Sequence, residues 1–159
     1  MLKGIKIFKR SVFKDKRGYL WTSWKNSKKY KINFNHDKFS LSKKNVFRGL
    51  HYDNKTWKLV SCVYGSIFFV VVNCNKKSNQ YLETFTIKLN HKDNRQILVP
   101  PNFANGHLCL SKDCVFHYKL FYKGAYSDVK SQKNIKWNDK RLDIKWPKNI
   151  TFITSGRDK

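Results

Sequence analysis

Hydrophobic positions in this chain come in short runs of β-branched and aromatic residues separated by polar turns, and helix signals are sparse. The runs predict strands over Val46–His51, Trp57–Val63, Ser66–Asn73, Tyr81–Leu89, Gln96–Val99, Gly106–Leu110 and Val115–Tyr122. Tyr64-Gly65-Ser66, between two apolar runs, reads as a hairpin turn. The expected class is all-β, an antiparallel set closed or stacked into a jelly roll. Residues 1 to 31 are more basic and read as an arm or as edge strands, and the tail after Trp146 reads as irregular. There is no internal repeat, linker or boundary, so residues 1–159 are expected to form a single domain.

Alternation along a strand says which side chains share a face. Phe116, Tyr118, Leu120 and Tyr122 share one, with His117 and Lys119 on the other, so Tyr118 is expected to point into the core or a cavity opening from it. Lys58 shares parity with Val60 and Cys62, an odd place for an ammonium unless it faces a polar pocket. Asn105, His107 and Cys109 share a face. Arg48 and His51 have opposite parity, so both reach one site only if the strand bulges, which Gly49 between them permits.

The net charge of +24 raises nucleic acid, an anionic membrane surface or a phosphorylated small molecule as partners. Its distribution weakens the first two. The basic residues are scattered without a long block, and 28 of the 34 are Lys in a chain also rich in Asn, Ile, Phe and Tyr, a bias of genomic character. No apolar run approaches the roughly 18 residues of a membrane span, and Met1–Arg10 lacks the apolar stretch of a secretory signal. A cytoplasmic location is expected, with no nucleic-acid or membrane partner. Cys62, Cys74, Cys109 and Cys114 form no C-x-x-C pair and have strand-like neighbours, which favours buried reduced thiols over zinc or disulfides. The five histidines form no metal-ligand pattern, so no metal is expected.

Val46-Phe47-Arg48-Gly49-Leu50-His51 is the first segment that composition does not explain: Arg offers a planar fork for phosphate, and His titrates near neutrality. Taken singly, the segment reads more readily as a surface Arg and a core His. The ordered set does not reduce so easily. Asp15-Lys16-Arg17-Gly18-Tyr19, Ser40-Leu41-Ser42, Arg48-Gly49-Leu50-His51, Lys58-Leu59-Val60, Pro100-Pro101-Asn102-Phe103-Ala104-Asn105-Gly106, Tyr118-Lys119, Trp137-Asn138-Asp139, Trp146-Pro147 and Ser155-Gly156-Arg157-Asp158 together resemble the dTDP-4-dehydrorhamnose 3,5-epimerase family. His36-Asp37-Lys38-Phe39, Thr56-Trp57-Lys58-Leu59-Val60, Cys62-Val63-Tyr64-Gly65 and Tyr122-Lys123-Gly124-Ala125-Tyr126 look more like a branch acting on GDP-linked 4-keto-6-deoxy-heptoses in capsule biosynthesis.

The resemblance implies a cupin-type double-stranded β-helix, usually a homodimer, that works without metal or cofactor on a nucleoside-diphosphate sugar. It inverts carbon 3, carbon 5 or both beside a 4-ketone, which requires a base, a stabiliser for the enolate oxygen and an acid on the opposite face. By resemblance His51 is the base, Asp158 the carboxylate orienting it, Lys58 the enolate stabiliser and Tyr118 the acid. Arg48 and Arg17 grip the diphosphate, Arg17 from the partner subunit, while Asn105, His36 and Lys38 contact substrate. There are departures: the rhamnose enzymes usually have His where Asn105 stands and Phe where His107 stands, Asn73 and Asn75 replace an Asp and an Arg, and His36 and Lys38 replace Gln and Asn. Two other readings stay open: a carbon-3 epimerase or ketoisomerase on the same substrates, and a degenerate cupin that binds nucleotide sugar without turnover.

Overall fold

The computed structural model describes residues 2–25 and 32–158. Its strands are β1 (Lys6–Lys9), β2 (Phe13–Asp15), β3 (Gly18–Leu20), β4 (His36–Lys43), β5 (Phe47–Tyr52) and β6 (Trp57–Tyr64), followed by β7 (Ser66–Asn73), β8 (Thr84–Asn90), β9 (Arg95–Val99), β10 (Phe103–Cys109), β11 (Asp113–Phe121) and β12 (Lys133–Asn134). One antiparallel sheet runs β1-β9-β6-β11-β4, the other β12-β5-β10-β7-β8, and β2-β3 is a separate hairpin. Two facing antiparallel sheets in this order make the expected jelly roll. No helix of the described residues is long and apolar enough to cross a membrane.

β7 shows why one stretch of the chain carries no charge. Ile67, Phe69 and Val71 point between the sheets, where they meet Val60 and Cys62 of β6 and Phe116 of β11. Phe68, Val70 and Val72 point the other way and are covered by Trp137, Leu142, Trp146 and Phe152 from the C-terminal region. A strand buried on both faces needs an uninterrupted apolar run. Each fully buried Val, Leu or Phe contributes about 1.5–3 kcal/mol, so β7 anchors both layers. A third apolar cluster, Leu59 and Leu98 with Ile32, Trp24, Phe34 and Trp57, covers part of the first sheet's outer face.

All seven predicted strands form. β8 starts at Thr84, because Tyr81 lies in the preceding turn, and β10 starts earlier, at Phe103. β4 was not expected. Seven of its eight side chains are exposed or only partly buried, so it carries no apolar signature, and its eight-residue pairing with β11 fixes it. At the N-terminus β1 is an edge strand on β9, and residues 26–31 of the basic region lie outside the described residues.

The tail is irregular, as expected, but firmly seated. Phe152 packs on Trp137 at 4.6 Å and on Phe47 at 5.6 Å between ring centroids. Ile153 bridges Val46, accepting from the Phe47 N–H at 2.9 Å and donating to the Asn45 carbonyl at 2.9 Å. Those contacts aim the 3-10 turn Gly156–Asp158 at the C-terminal half of β5.

Candidate active site

The inward faces of three strands descend from an open end of the jelly roll to a closed one. On β6 the order is Lys58, Val60, Cys62; on β10 it is Asn105, His107, Cys109; β11 contributes Tyr118 and Phe116, level with Val60 and Cys62. The closed end is apolar and plugged by Cys62, Cys109, Cys114 and Phe116. Burial pushes the Cys62 thiol up to about 12, which keeps it protonated and inert. Cys74 is partly buried, and all four cysteines are free. The open end is a cavity of about 410 Å³.

His51 and Arg48 both border that cavity despite their opposite parity. The β5–β10 register shifts between Asn105 and His107, opposite Gly49, which has φ +139°. Only glycine adopts that conformation readily. A Cβ on Gly49 would stand 2.5 Å from the Gly106 Cα, and one on Gly106 would stand 2.6 Å from the Arg48 carbonyl oxygen. Two glycines back to back thus let the strands approach and bring the Arg and the His to one site.

His51 Nε2 donates to Asp158 Oδ1 at 2.6 Å, across 107 residues of sequence. Asp158 is buried, and its second oxygen accepts from Ser155 Oγ at 3.0 Å. Burial alone would raise its pKa; the His51 hydrogen bond and charge, with Ser155 and Arg157, outweigh that and hold the carboxyl below its usual value. A second histidine has a similar partner without a cavity. His117 Nε2 donates to Asp37 Oδ1 at 2.7 Å on the outer face of the first sheet, under Phe39. Pairing alone therefore does not mark a site; pairing at a cavity wall does.

Lys58 is buried with its Nζ donating to the His51 carbonyl at 3.3 Å, and Asn105 Nδ2 donates to the same oxygen at 3.3 Å. Burial lowers the ammonium to about 8; the negative charge of Asp53 opposes the shift and Arg157 adds to it. Asp53 thus supplies a countercharge in a chain whose Asn73 has none to give. Its Oδ1 accepts from the backbone N–H of Lys55 and Thr56, and its Oδ2 is buried without a partner among the described residues. Tyr118 borders the cavity from the sheet that also carries Lys58, opposite the sheet of His51, and burial pushes its phenol up, so it stays neutral. Burial, with the nearby Arg48 charge, depresses the His107 imidazole to about 3.

The predicted residues are distributed unevenly. His51, Asp158, Lys58, Tyr118, Arg48, Asn105 and Lys38 all line the cavity. Arg48 is exposed there, its Nε donating to Ser42 Oγ at 2.9 Å. Lys38 Nζ donates to the Tyr126 hydroxyl at 3.1 Å. His36 stands behind the rim, its ring 4.7 Å from that of Tyr126 and its Nδ1 3.2 Å from the Tyr122 hydroxyl. Arg17 is elsewhere in the chain, on the β2–β3 hairpin and paired with Asp15 at 2.6 Å. Sequence reading did not single out Thr56, Gln132 or Asp53. The first two line the cavity, yet their surroundings carry no chemical pattern; an Asp placed five residues before an inward Lys was the available signal for the third. Among the described residues, no group of three or more His, Cys, Asp or Glu is placed to hold a metal ion.

A His–carboxylate pair, an ammonium and a neutral phenol around one cavity are the parts of an acid–base site for carbon. Comparison with known proteins gives the arrangement a family. The chain is 35% identical over 150 residues to a dTDP-4-dehydrorhamnose 3,5-epimerase of Salmonella typhimurium, covering 89% of this chain and 80% of the relative. It is 33% identical to the Escherichia coli enzyme of the same name, covering 99% and 88%. The structure superposes with a TM-score of 0.91 on a dTDP-6-deoxy-D-glucose-3,5-epimerase of Legionella pneumophila in complex with dTDP-4-keto-L-rhamnose, at 31% identity and covering 99% of this chain and 86% of that one. A dTDP-4-dehydrorhamnose 3,5-epimerase of Bacillus anthracis with TDP and pyrophosphate bound gives 0.89 at 29% identity, covering 98% and 91%. The family model for such epimerases matches residues 1–159, and with fold, site and sequence in agreement along that length, this chain belongs to the dTDP-4-dehydrorhamnose 3,5-epimerase family.

Proposed function

We propose that the cavity binds a nucleoside-diphosphate-linked 4-keto-6-deoxy sugar and that the side chains above divide the chemistry of its epimerisation among them. The activity is that of a 3,5-epimerase on dTDP-4-keto-6-deoxy sugars. With Nε2 committed to Asp158, the Nδ1 of His51 takes the proton from the carbon beside the ketone. The C–H electron pair moves into the ring and the carbonyl becomes an enolate, whose charge meets the Lys58 ammonium. Tyr118 comes from the opposite sheet, so its phenol O–H returns a proton to the other face and inverts the centre. Arg48, exposed at the edge of the cavity, takes the diphosphate, and Arg17 adds to it from the partner subunit of a homodimer.

The observation that carries this reading is the 2.6 Å His51–Asp158 contact at the cavity wall. The test is solvent deuterium exchange: a dTDP-linked 4-keto-6-deoxy sugar in deuterated water should gain label at carbons 3 and 5 with wild-type enzyme and not with His51→Asn. Label in neither, or equal label in both, refutes the assignment. Asn105 favours a second reading, because an amide cannot carry a proton as the usual His does; label at carbon 3 alone would select it, and migration of the carbonyl would select a ketoisomerase. Binding of nucleotide sugar with no exchange would leave a cupin without turnover. The finer assignment to GDP-linked heptoses rests on the sequence resemblance around His36 and Lys38, of which only Lys38 lines the cavity, and a higher kcat/KM on the GDP-linked sugar than on the dTDP-linked one would establish it.

A further inference from the structure

The face of β4 that carries Lys38 and Ser40 at the cavity wall continues to Ser42, one step nearer the closed end. Ser42 pairs in register with Cys114 and is 2% exposed. A hydroxyl taken out of water is costly unless it finds a partner, and an alanine in the same place would avoid that cost. The partner of Ser42 comes from the other sheet: its Oγ accepts from Arg48 Nε at 2.9 Å. The carbonyl of the preceding residue, Leu41, accepts from Arg48 Nη2 at 3.3 Å.

These two bonds occupy one edge of the guanidinium. The group carries five N–H donors in a rigid plane, and with the Nε–Nη2 edge held on β4 the Nη1–Nη2 edge is left for two oxygens of a phosphate. Both partners on β4 are neutral, so they hold Arg48 without cancelling its charge. Arg95 and Arg141, by contrast, are each paired with an aspartate two residues away. An arginine held in one rotamer before the ligand arrives loses less side-chain entropy on binding, and that saving appears as affinity.

We infer that Ser42 is a positioning residue for substrate binding: its hydroxyl, with the Leu41 carbonyl, clamps one edge of the Arg48 guanidinium so that the other edge meets the diphosphate already oriented. The inference rests on the assignment of the diphosphate to Arg48 and adds the group that holds Arg48 in place. Ser42 acts through Arg48, since the part of β4 that borders the cavity is Lys38, Phe39 and Ser40. Its loss should therefore weaken binding and leave the proton transfers at His51 and Tyr118 as they are.

The test is a double-mutant cycle. The dissociation constant of thymidine diphosphate, and kcat and KM on a dTDP-linked 4-keto-6-deoxy sugar, are measured for wild type, Ser42→Ala, Ser42→Thr, Arg48→Ala and the Ser42→Ala/Arg48→Ala double variant. Ser42→Ala should raise the dissociation constant and KM by about threefold to tenfold while kcat changes by less than about twofold. Ser42→Thr, which keeps the hydroxyl, should recover most of the loss, and in the Arg48→Ala background Ser42→Ala should have no further effect on binding. If Arg48→Ala weakens binding but Ser42→Ala does not, or if Ser42→Ala weakens it equally with and without Arg48, the inference falls and the diphosphate assignment stands. Binding by Arg48→Ala as tight as wild type overturns both. If Ser42→Ala fails to fold, Ser42→Cys takes its place in the cycle, because a thiol has nearly the same shape and is a much weaker acceptor.

Discussion

Lys58 shows most clearly how function and stability oppose each other in this chain. In the proposed mechanism its ammonium must be charged beside the developing enolate, yet burial lowers its pKa from the usual 10.5 to about 8. Between those values the unfolded chain binds more protons than the folded one, so stability should rise as pH goes from about 8 to 10.5. Activity should fall over the lower part of the same range as the ammonium is lost. Lys58→Met should therefore be nearly inactive and yet more stable, on the order of 2–3 kcal/mol at neutral pH, read as a higher urea midpoint. Asp53→Asn keeps the oxygen that accepts from Lys55 and Thr56 but removes the countercharge, and should move the alkaline limb of the activity profile to lower pH. An unmoved limb would show that Asp53 only closes the turn. Asp158→Asn should cost roughly 10²–10⁴-fold in turnover with little change in KM, because it removes the acceptor that fixes the His51 tautomer.

The strand β5 and its neighbour β10 use two glycines to bring Arg48 and His51 to one cavity. Gly49 and Gly106 have backbone where a Cβ would stand, at 2.5 and 2.6 Å respectively, so neither position has a flexible side chain to give way. Gly106→Ala should destabilise by about 2–4 kcal/mol, lowering the melting temperature by roughly 5–15 °C, and should reduce activity even in the folded fraction by pulling Arg48 away from His51. The motif Arg48-Gly49-Leu50-His51 revealed the bulge in advance, because opposite parity in one site demands one. β4 could not be anticipated in the same way: its exposed, polar sequence carries no strand pattern, and eight register contacts with β11 supply what the sequence lacks.

In the proposed homodimer, assembly would finish the site. Arg17 lies on a hairpin away from its own cavity, and Phe13 and Leu20 beside it are 76% and 72% exposed. In a homodimer that lends Arg17 to the neighbouring cavity, Arg17→Ala and His51→Asn should each be weak or inactive alone. Mixed and reassociated, they should recover about a quarter of wild-type activity, because half the dimers are mixed and each has one intact site. Sedimentation equilibrium checks the dimer, and a mixture no more active than its components would show that Arg17 serves its own chain or none.

The one-dimensional chain was enough to establish the all-β class, the seven apolar strands, the inward direction of Lys58 and Tyr118 and the need for a break at Gly49, because period-two alternation and parity are local properties. Periodicity could not place Asp158 beside His51, a pairing that only the family resemblance implied, since the two lie 107 positions apart and the tail has no periodicity of its own; Trp137, Trp146 and Phe152 packing against β5 and β7 set that distance. Nor could it show that His107 is fully buried or that the charge of Asp53 opposes the effect of burial on Lys58, since burial and pairing exist only once the two sheets have closed around the cavity.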